Sequence, residues 1–210
     1  MKSRSSRTGP AIRRPGEAGE LRIVGGEWRG RKIRFPPVAA IRPTPDRVRE
    51  TLFNWLQPVI VGSRCLDLYA GSGALGLEAL SRGAARVVFV EVDAAVARHL
   101  DTTLEALGCT RGRVMRSDAG RFLGSADERA AGPFDVVFLD PPFAEPVLGG
   151  VCAELERSGR LAPSARIYLE APAAAGEPEL PAGWTLLRSK RAGEVGYHLA
   201  RRDGNDTTTT

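Results

Sequence analysis

The stretch Cys65-Leu66-Asp67-Leu68-Tyr69-Ala70-Gly71-Ser72-Gly73-Ala74-Leu75-Gly76-Leu77-Glu78-Ala79-Leu80 constrains this chain more than any other. A short apolar run ends at an acid, a glycine-rich turn follows, and a periodic apolar segment comes next. That order reads as strand, tight loop and helix, the opening unit of a parallel α/β sheet with a nucleotide-type ligand over its carboxyl edge.

The rest of the chain continues the alternation. Strands are expected at Arg64–Tyr69, Arg86–Glu91, Arg113–Arg116, Phe134–Leu139 and Ala165–Glu170. Helices are expected over Ala74–Arg82, Ala94–Leu107 and Pro146–Ser158, with a helical turn from Asp118. Trp184–Lys190 and Val195–Ala200 form a closing antiparallel pair. The pattern predicts an α/β protein with a doubly wound, mostly parallel seven-stranded sheet and a small N-terminal β-hairpin extension.

That extension comes from Leu21–Gly25 and Lys32–Phe35, joined by the turn-rich Gly25-Gly26-Glu27-Trp28-Arg29-Gly30-Arg31. A helix follows from Pro45 to Leu56, with Thr44 as its expected N-cap and Pro45 at its first position. Val48, Leu52, Trp55 and Leu56 share one apolar face of it. Arg47 and Arg49 point toward a substrate or toward water. The expected division is a disordered basic tail at 1–20, a gripping hairpin and helix at 21–57, the sheet domain at 58–202 and a frayed tail at 203–210.

Charge separates the front from the remainder. Residues 1–50 carry 13 Lys/Arg against 5 Asp/Glu, a balance of +8 within a total of +5, so the rest of the chain is net acidic. A basic front on an acidic domain implies a polyanionic partner, nucleic acid first. Arg22, Arg29, Arg31, Lys32, Arg34, Arg42 and Arg47 are the candidate phosphate contacts. Trp28 among them either stacks a base or packs the hairpin onto the domain, and the sequence leaves both open. Cys65, Cys109 and Cys152 are isolated and odd in number, which fits a reducing cytoplasm and neither a disulfide framework nor a metal site. No apolar run reaches membrane-spanning length, and no secretory leader is expected.

Gly71-Ser72-Gly73-Ala74-Leu75-Gly76 fits dinucleotide and S-adenosylmethionine sites alike. Glu91, twenty residues after Gly71, suits the ribose hydroxyls of either ligand. Asp67 discriminates between them. A carboxylate repels a pyrophosphate and attracts the ammonium and sulfonium of S-adenosylmethionine. Asp118 reaches the adenine amine or caps a helix. The candidate cofactor residues are Asp67, Tyr69, Ala70, Gly71, Ser72, Gly73, Glu91, Val92, Asp118 and Ala119.

A second anchor is Asp140-Pro141-Pro142-Phe143, delivered by an apolar strand to the same sheet edge. Asp140 and the Pro141 carbonyl can accept the two N–H bonds of a planar exocyclic amine. Pro142 stiffens the turn, and Phe143 can stack on the base. Fixing both N–H bonds helps to aim the nitrogen lone pair at the sulfonium methyl. Purely on these residues the amine could belong to guanine or to adenine. An NAD(P)-dependent oxidoreductase and a non-catalytic RNA-binding protein fit the acids less well.

The pairing of these two motifs resembles class I S-adenosylmethionine-dependent amino-methyltransferases. Arg22–Lys32 and the run from Arg42 to Leu56 narrow the resemblance to the bacterial small-subunit ribosomal RNA guanine-N2 methyltransferases. The similarity covers about Leu21 to Ala200. It implies methyl transfer to N2 of one guanine in 16S rRNA, within an assembling 30S particle. Nothing in the sequence itself demands a metal or more than a cytoplasmic monomer. The resemblance also implies that Gly71, Gly73 and Glu91 hold the cofactor, with Asp118 near the adenine. Asp140, Pro141 and Phe143 would hold the base.

Overall fold

A computed structural model describes residues 19–35, 44–125, 133–142 and 147–204 of the 210-residue chain. Arg42 and Phe143, and the expected tails at 1–18 and 205–210, lie outside the described residues. Two strands, β1 (Gly19–Arg22) and β2 (Lys32–Phe35), pair antiparallel and precede α1 (Asp46–Leu56). The sheet domain then runs β3 (Arg64–Asp67), α2 (Ala74–Ser81), β4 (Arg86–Glu91), α3 (Ala94–Ala106), β5 (Gly112–Arg116), α4 (Ala119–Gly124), β6 (Phe134–Leu139), α5 (Leu148–Arg157) and β7 (Leu161–Pro172). A short 3₁₀ turn (Ala173–Ala175) leads to β8 (Trp184–Ala192) and β9 (Val195–Arg202).

The seven strands lie in the order β5-β4-β3-β6-β7-β9-β8. β5 through β7 are parallel neighbours, and β9 joins β7 and β8 antiparallel. The chain runs outward from β3 to β5, then returns to place β6 on the other side of β3. Such a reversal opens a crevice at the carboxyl ends of β3 and β6, where α/β sheets bind their ligands. The expected architecture is the observed one.

Burial on both faces explains the apolar runs. Cys65, Phe89, Val136, Phe138 and Tyr168 point into a core roofed by the hairpin, α1, α2 and α3. Leu66, Val88, Val137, Leu139 and Ile167 point into a second core under α4 and α5. Strands clothed on both sides need no polar face, so they read as continuous rather than alternating.

Local differences from the sequence expectation have physical causes. β1 takes in Gly19 and Glu20, expected as tail, because they pair with Phe35 and Arg34 across the hairpin. β7 starts at Leu161 rather than Ala165, ahead of a register irregularity opposite Phe134 and Val136. Asp203, expected in the frayed tail, accepts from the Thr185 hydroxyl at 2.8 Å and from Arg201. Trp55, expected in the core, is half-buried: it stacks on Tyr197 at 5.5 Å and has Lys190 over it at 5.9 Å, while Phe53 takes the buried position. Among the described residues no helix is long and apolar enough to cross a membrane.

Candidate active site

The loop after β3 is built on positive-φ glycines. Gly73 caps α2 in the left-handed region (φ +77°), and a Cβ there would stand 2.5 Å from Leu100 Cδ2. A side chain at Gly76 would meet the Phe89 ring at 2.2 Å, so this glycine lets α2 lie directly on β4. Above Gly71, by contrast, a Cβ would have only the Tyr69 carbonyl within 4 Å, at 3.9 Å, which leaves room for a ligand to approach the backbone.

Three acids line this loop. Asp67, at the end of β3, is 2 % exposed, and its Oδ2 accepts the Gly76 N–H at 2.9 Å. Burial pushes its carboxyl up to about 7, with the charge of Glu91 adding to the effect and the Gly76 bond opposing it. Glu91, at the end of β4, accepts the Gly71 N–H at 2.9 Å and the Asp93 N–H at 2.8 Å. It thereby ties the glycine loop to the next loop. Asp118 caps α4 by accepting the Arg121 N–H at 2.9 Å, so the capping role is realised, on an exposed carboxylate that borders the same edge. Tyr69 is half-buried, Ala70, Ser72 and Ala119 are buried, and Val92 is 66 % exposed beyond Glu91. An apolar side chain exposed beside acids, with space over Gly71, fits a cationic nucleoside. The same acids oppose a pyrophosphate.

Across β3 lies the second anchor. Leu68 N donates to the Phe138 carbonyl at 3.2 Å, and Asp67 pairs with Phe138 in register. Asp140 therefore emerges beside the glycine loop, half-buried, with Pro141 buried and Pro142 exposed after it. Burial and the charges of Glu170 and Asp67 raise the Asp140 carboxyl well above its ordinary range, and the Thr44 hydroxyl, 3.5 Å from Oδ2, opposes them.

Thr44 corrects the expectation for α1. Pro45 occupies the cap position in an extended conformation (φ −56°, ψ 146°), and no side chain caps the helix. Thr44 is thus one residue too early to cap, and its hydroxyl turns to Asp140 instead. Arg49 departs from both of its expected roles. Its side chain is fully buried, donating to the carbonyls of Thr44 (3.2 Å) and Arg22 (2.7 Å) and to Asp46 (2.6 Å) and Glu78 (3.4 Å).

On the hairpin, Arg22, Arg29, Arg31, Lys32 and Arg34 are exposed, as is Arg47 on α1. Lys32 is paired with Glu20 at 2.9 Å. Trp28 is 3 % exposed, so of its two readings the packing one holds: the indole joins the core, and its N–H backbone bond goes to Ser81 Oγ at 2.9 Å. Glu78, Tyr168 and Glu170 were not singled out by sequence reasoning. Glu170 carried a usable signal, since it closes the apolar run Ile167–Leu169 with an acid as Asp67 and Glu91 close theirs.

A reversed parallel sheet with a glycine loop after its central strand, an acid ending the next strand, and an Asp-Pro-Pro turn across the edge defines a class I methyltransferase fold. Comparison with known proteins carries this further. A family model described as "Conserved hypothetical protein 95" matches residues 21–201. The chain is 49% identical over 186 residues to the Ribosomal RNA small subunit methyltransferase D of Escherichia coli, covering 89% of this chain and 92% of that protein. To the protein of the same name from Haemophilus influenzae it is 44% identical, covering 90% and 97%. The solved structure of Escherichia coli yhhF superposes with a TM-score of 0.79 at 48% identity, over 88% of this chain and 99% of that one. The chain belongs to this family, shared with the small-subunit ribosomal RNA methyltransferase D proteins.

Proposed function

We propose that this protein transfers a methyl group from S-adenosylmethionine to the exocyclic N2 amine of a guanine in 16S rRNA. The observation that carries the reading is the placement of Asp140 and Pro141 beside the glycine loop, one strand over from Asp67. The relatives' names supply the substrate class, small-subunit ribosomal RNA.

S-adenosylmethionine, when bound, supplies a methyl group already activated by its sulfonium. The chain's own residues do the rest. Asp67 and the opened backbone at Gly71 receive the amino-acid end, Glu91 accepts the ribose hydroxyls, and Val92, Asp118 and Ala119 border the adenine. Asp140 Oδ and the Pro141 carbonyl accept the N–H bonds of the target amine and hold its lone pair toward the methyl. Once nitrogen carries the methyl, one N–H bond breaks, its electrons stay on nitrogen, and the proton passes to Asp140. Phe143 stacks on the base in this reading. Arg22, Arg29, Arg31, Lys32, Arg34, Arg42 and Arg47 hold phosphates. Residues 21–57 act as the RNA grip and 58–202 as the catalytic part. The protein works as a cytoplasmic monomer on an assembling 30S particle and needs no metal, since the methyl donor is already activated.

Purified protein with tritiated cofactor is expected to label 16S rRNA taken from cells lacking the enzyme, with the label in N2-methylguanine. Asp140→Ala is expected to lose the label while cofactor binding stays. Label in N6-methyladenine, or none on rRNA, overturns the reading.

A further inference from the structure

Beside the half-buried Asp140 sits a buried carboxyl that the mechanism above does not use. Glu170 directly follows the run of β7 residues paired with β6, where Phe138 faces Tyr168 and Leu139 faces Leu169. Continuing that register sets Glu170 next to Asp140. Glu170 is 4 % exposed, and its Oε1 accepts the hydroxyl of the fully buried Tyr168 at 2.7 Å. The Thr44 hydroxyl lies within reach of both carboxyls. Among the described residues neither acid has an ion-pair partner.

Among the described residues, the groups facing this pair come from several elements. Asp67 approaches from β3, Tyr168 from β7, Tyr197 from β9 opposite Glu170, and Thr44 from the segment before α1. None is a cation. Two neighbouring carboxyls, one buried and one half-buried, resist ionising together. Glu170 accepts the Tyr168 hydroxyl at 2.7 Å, whereas Asp140 has only the Thr44 hydroxyl, at 3.5 Å. Glu170 therefore ionises first, and Asp140 ionises at a higher pH, beside a charge already in place.

We propose that Glu170 is a positioning residue for methyl transfer, holding a fixed negative charge beside Asp140 that makes Asp140 a stronger base toward the target amine. The inference rests on the reading of Asp140 as the amine acceptor. Burial raises both carboxyls, and raises Asp140 further through Glu170, in keeping with this division of labour. A base whose pKa lies close to the working pH takes up a proton most effectively while still being available in its charged form. Thr44 belongs to the same device. Arg49, through the Thr44 carbonyl, fixes a hydroxyl from the N-terminal segment against the acceptor carboxyl.

The test is the pH profile of single-turnover methylation, run beside a ¹³C carboxyl titration of the cofactor-free protein. Glu170→Gln keeps the shape and an acceptor for Tyr168 but removes the charge. It is expected to move the acid limb of the profile and the Asp140 resonance down by about one pH unit or more. Tyr168→Phe, which leaves Glu170 harder to ionise, is expected to move both in the same direction and serves if the Gln variant does not fold. Activity lost evenly across pH, with the limb and the resonance unmoved, overturns the role of Glu170. Asp140→Asn tests the underlying reading separately: full activity in that variant overturns the acceptor assignment, whatever Glu170 does.

Discussion

Glu78 Oε1 accepts the backbone N–H of Gly25 at 2.8 Å, across 53 residues of sequence. Its other oxygen takes the Val24 N–H at 2.8 Å and the Arg49 guanidinium at 3.4 Å, and Arg82 reaches Oε1 at 2.7 Å. One fully buried carboxylate thus joins the hairpin, α1 and the helix that begins at the cofactor loop. Breaking a buried pair leaves an uncompensated charge. Glu78→Ala is expected to destabilise the fold by about 3–5 kcal/mol in urea unfolding. Glu78→Gln, which keeps one acceptor, is expected to lose less, and hydrogen exchange should show the hairpin opening first.

The same joint is tight at Gly26. Its φ of +77° is one that L side chains rarely adopt, and a Cβ would stand 1.9 Å from the Ser81 carbonyl oxygen. Gly26→Ala should therefore lift the hairpin off α2 and cost about 1–3 kcal/mol or more. Gly30, with φ +83° but nothing within 4 Å of a Cβ, should suffer only the backbone strain. Chemical denaturation of the two variants side by side checks the difference.

Asp67 is expected to make cofactor affinity depend on pH. Its carboxyl is raised from 3.8 to about 7, and a cationic ligand binds the ionised form. Affinity for S-adenosylmethionine is expected to rise as pH climbs through about 7 and to level off above it, by calorimetric titration. Asp67→Asn should bind more weakly and flatten the dependence. Without cofactor the sign for stability is opposite. The folded protein keeps a proton that the unfolded chain releases near pH 4, so this group's contribution falls between about pH 4 and pH 7. The drop is at most about 4 kcal/mol, and the Asn variant should lack it.

The exposed arginines of the hairpin should contribute to RNA affinity through counterion release. Replacing Arg29, Arg31, Lys32 and Arg34 together by Ala is expected to reduce the slope of log affinity against log salt by about 2–3. Lys32 should count for least, because Glu20 already neutralises it. Cofactor affinity should not move. An unchanged salt slope would mean that these charges do not touch phosphate.

Much of the site was legible because its chemistry sits at strand ends. Asp67, Glu91 and Asp140 each close a short apolar run, and the periodicity of such a run locates its end within a residue or two. The glycine loop announces itself by composition, since positive φ and close helix packing both exclude side chains. Trp28, Thr44 and Arg49 were not legible in the same way. Local sequence left Trp28 between stacking and packing, made Thr44 a helix cap and pointed Arg49 toward substrate or water. Each has its role set by a partner far along the chain: Ser81, Asp140 and Glu78.

The sequence by itself determined the order of strands and helices, the cofactor loop and the acids that border it. These follow from patterns within a dozen residues, where backbone periodicity and glycine sterics act. Only the tertiary structure decided that the N-terminal segment completes the site, seating Thr44 against Asp140 and locking Arg49 beneath it. It also brought Glu170 beside Asp140. Those contacts form when a buried polar group must find a partner inside the folded core, and the nearest one belongs to a distant stretch of chain.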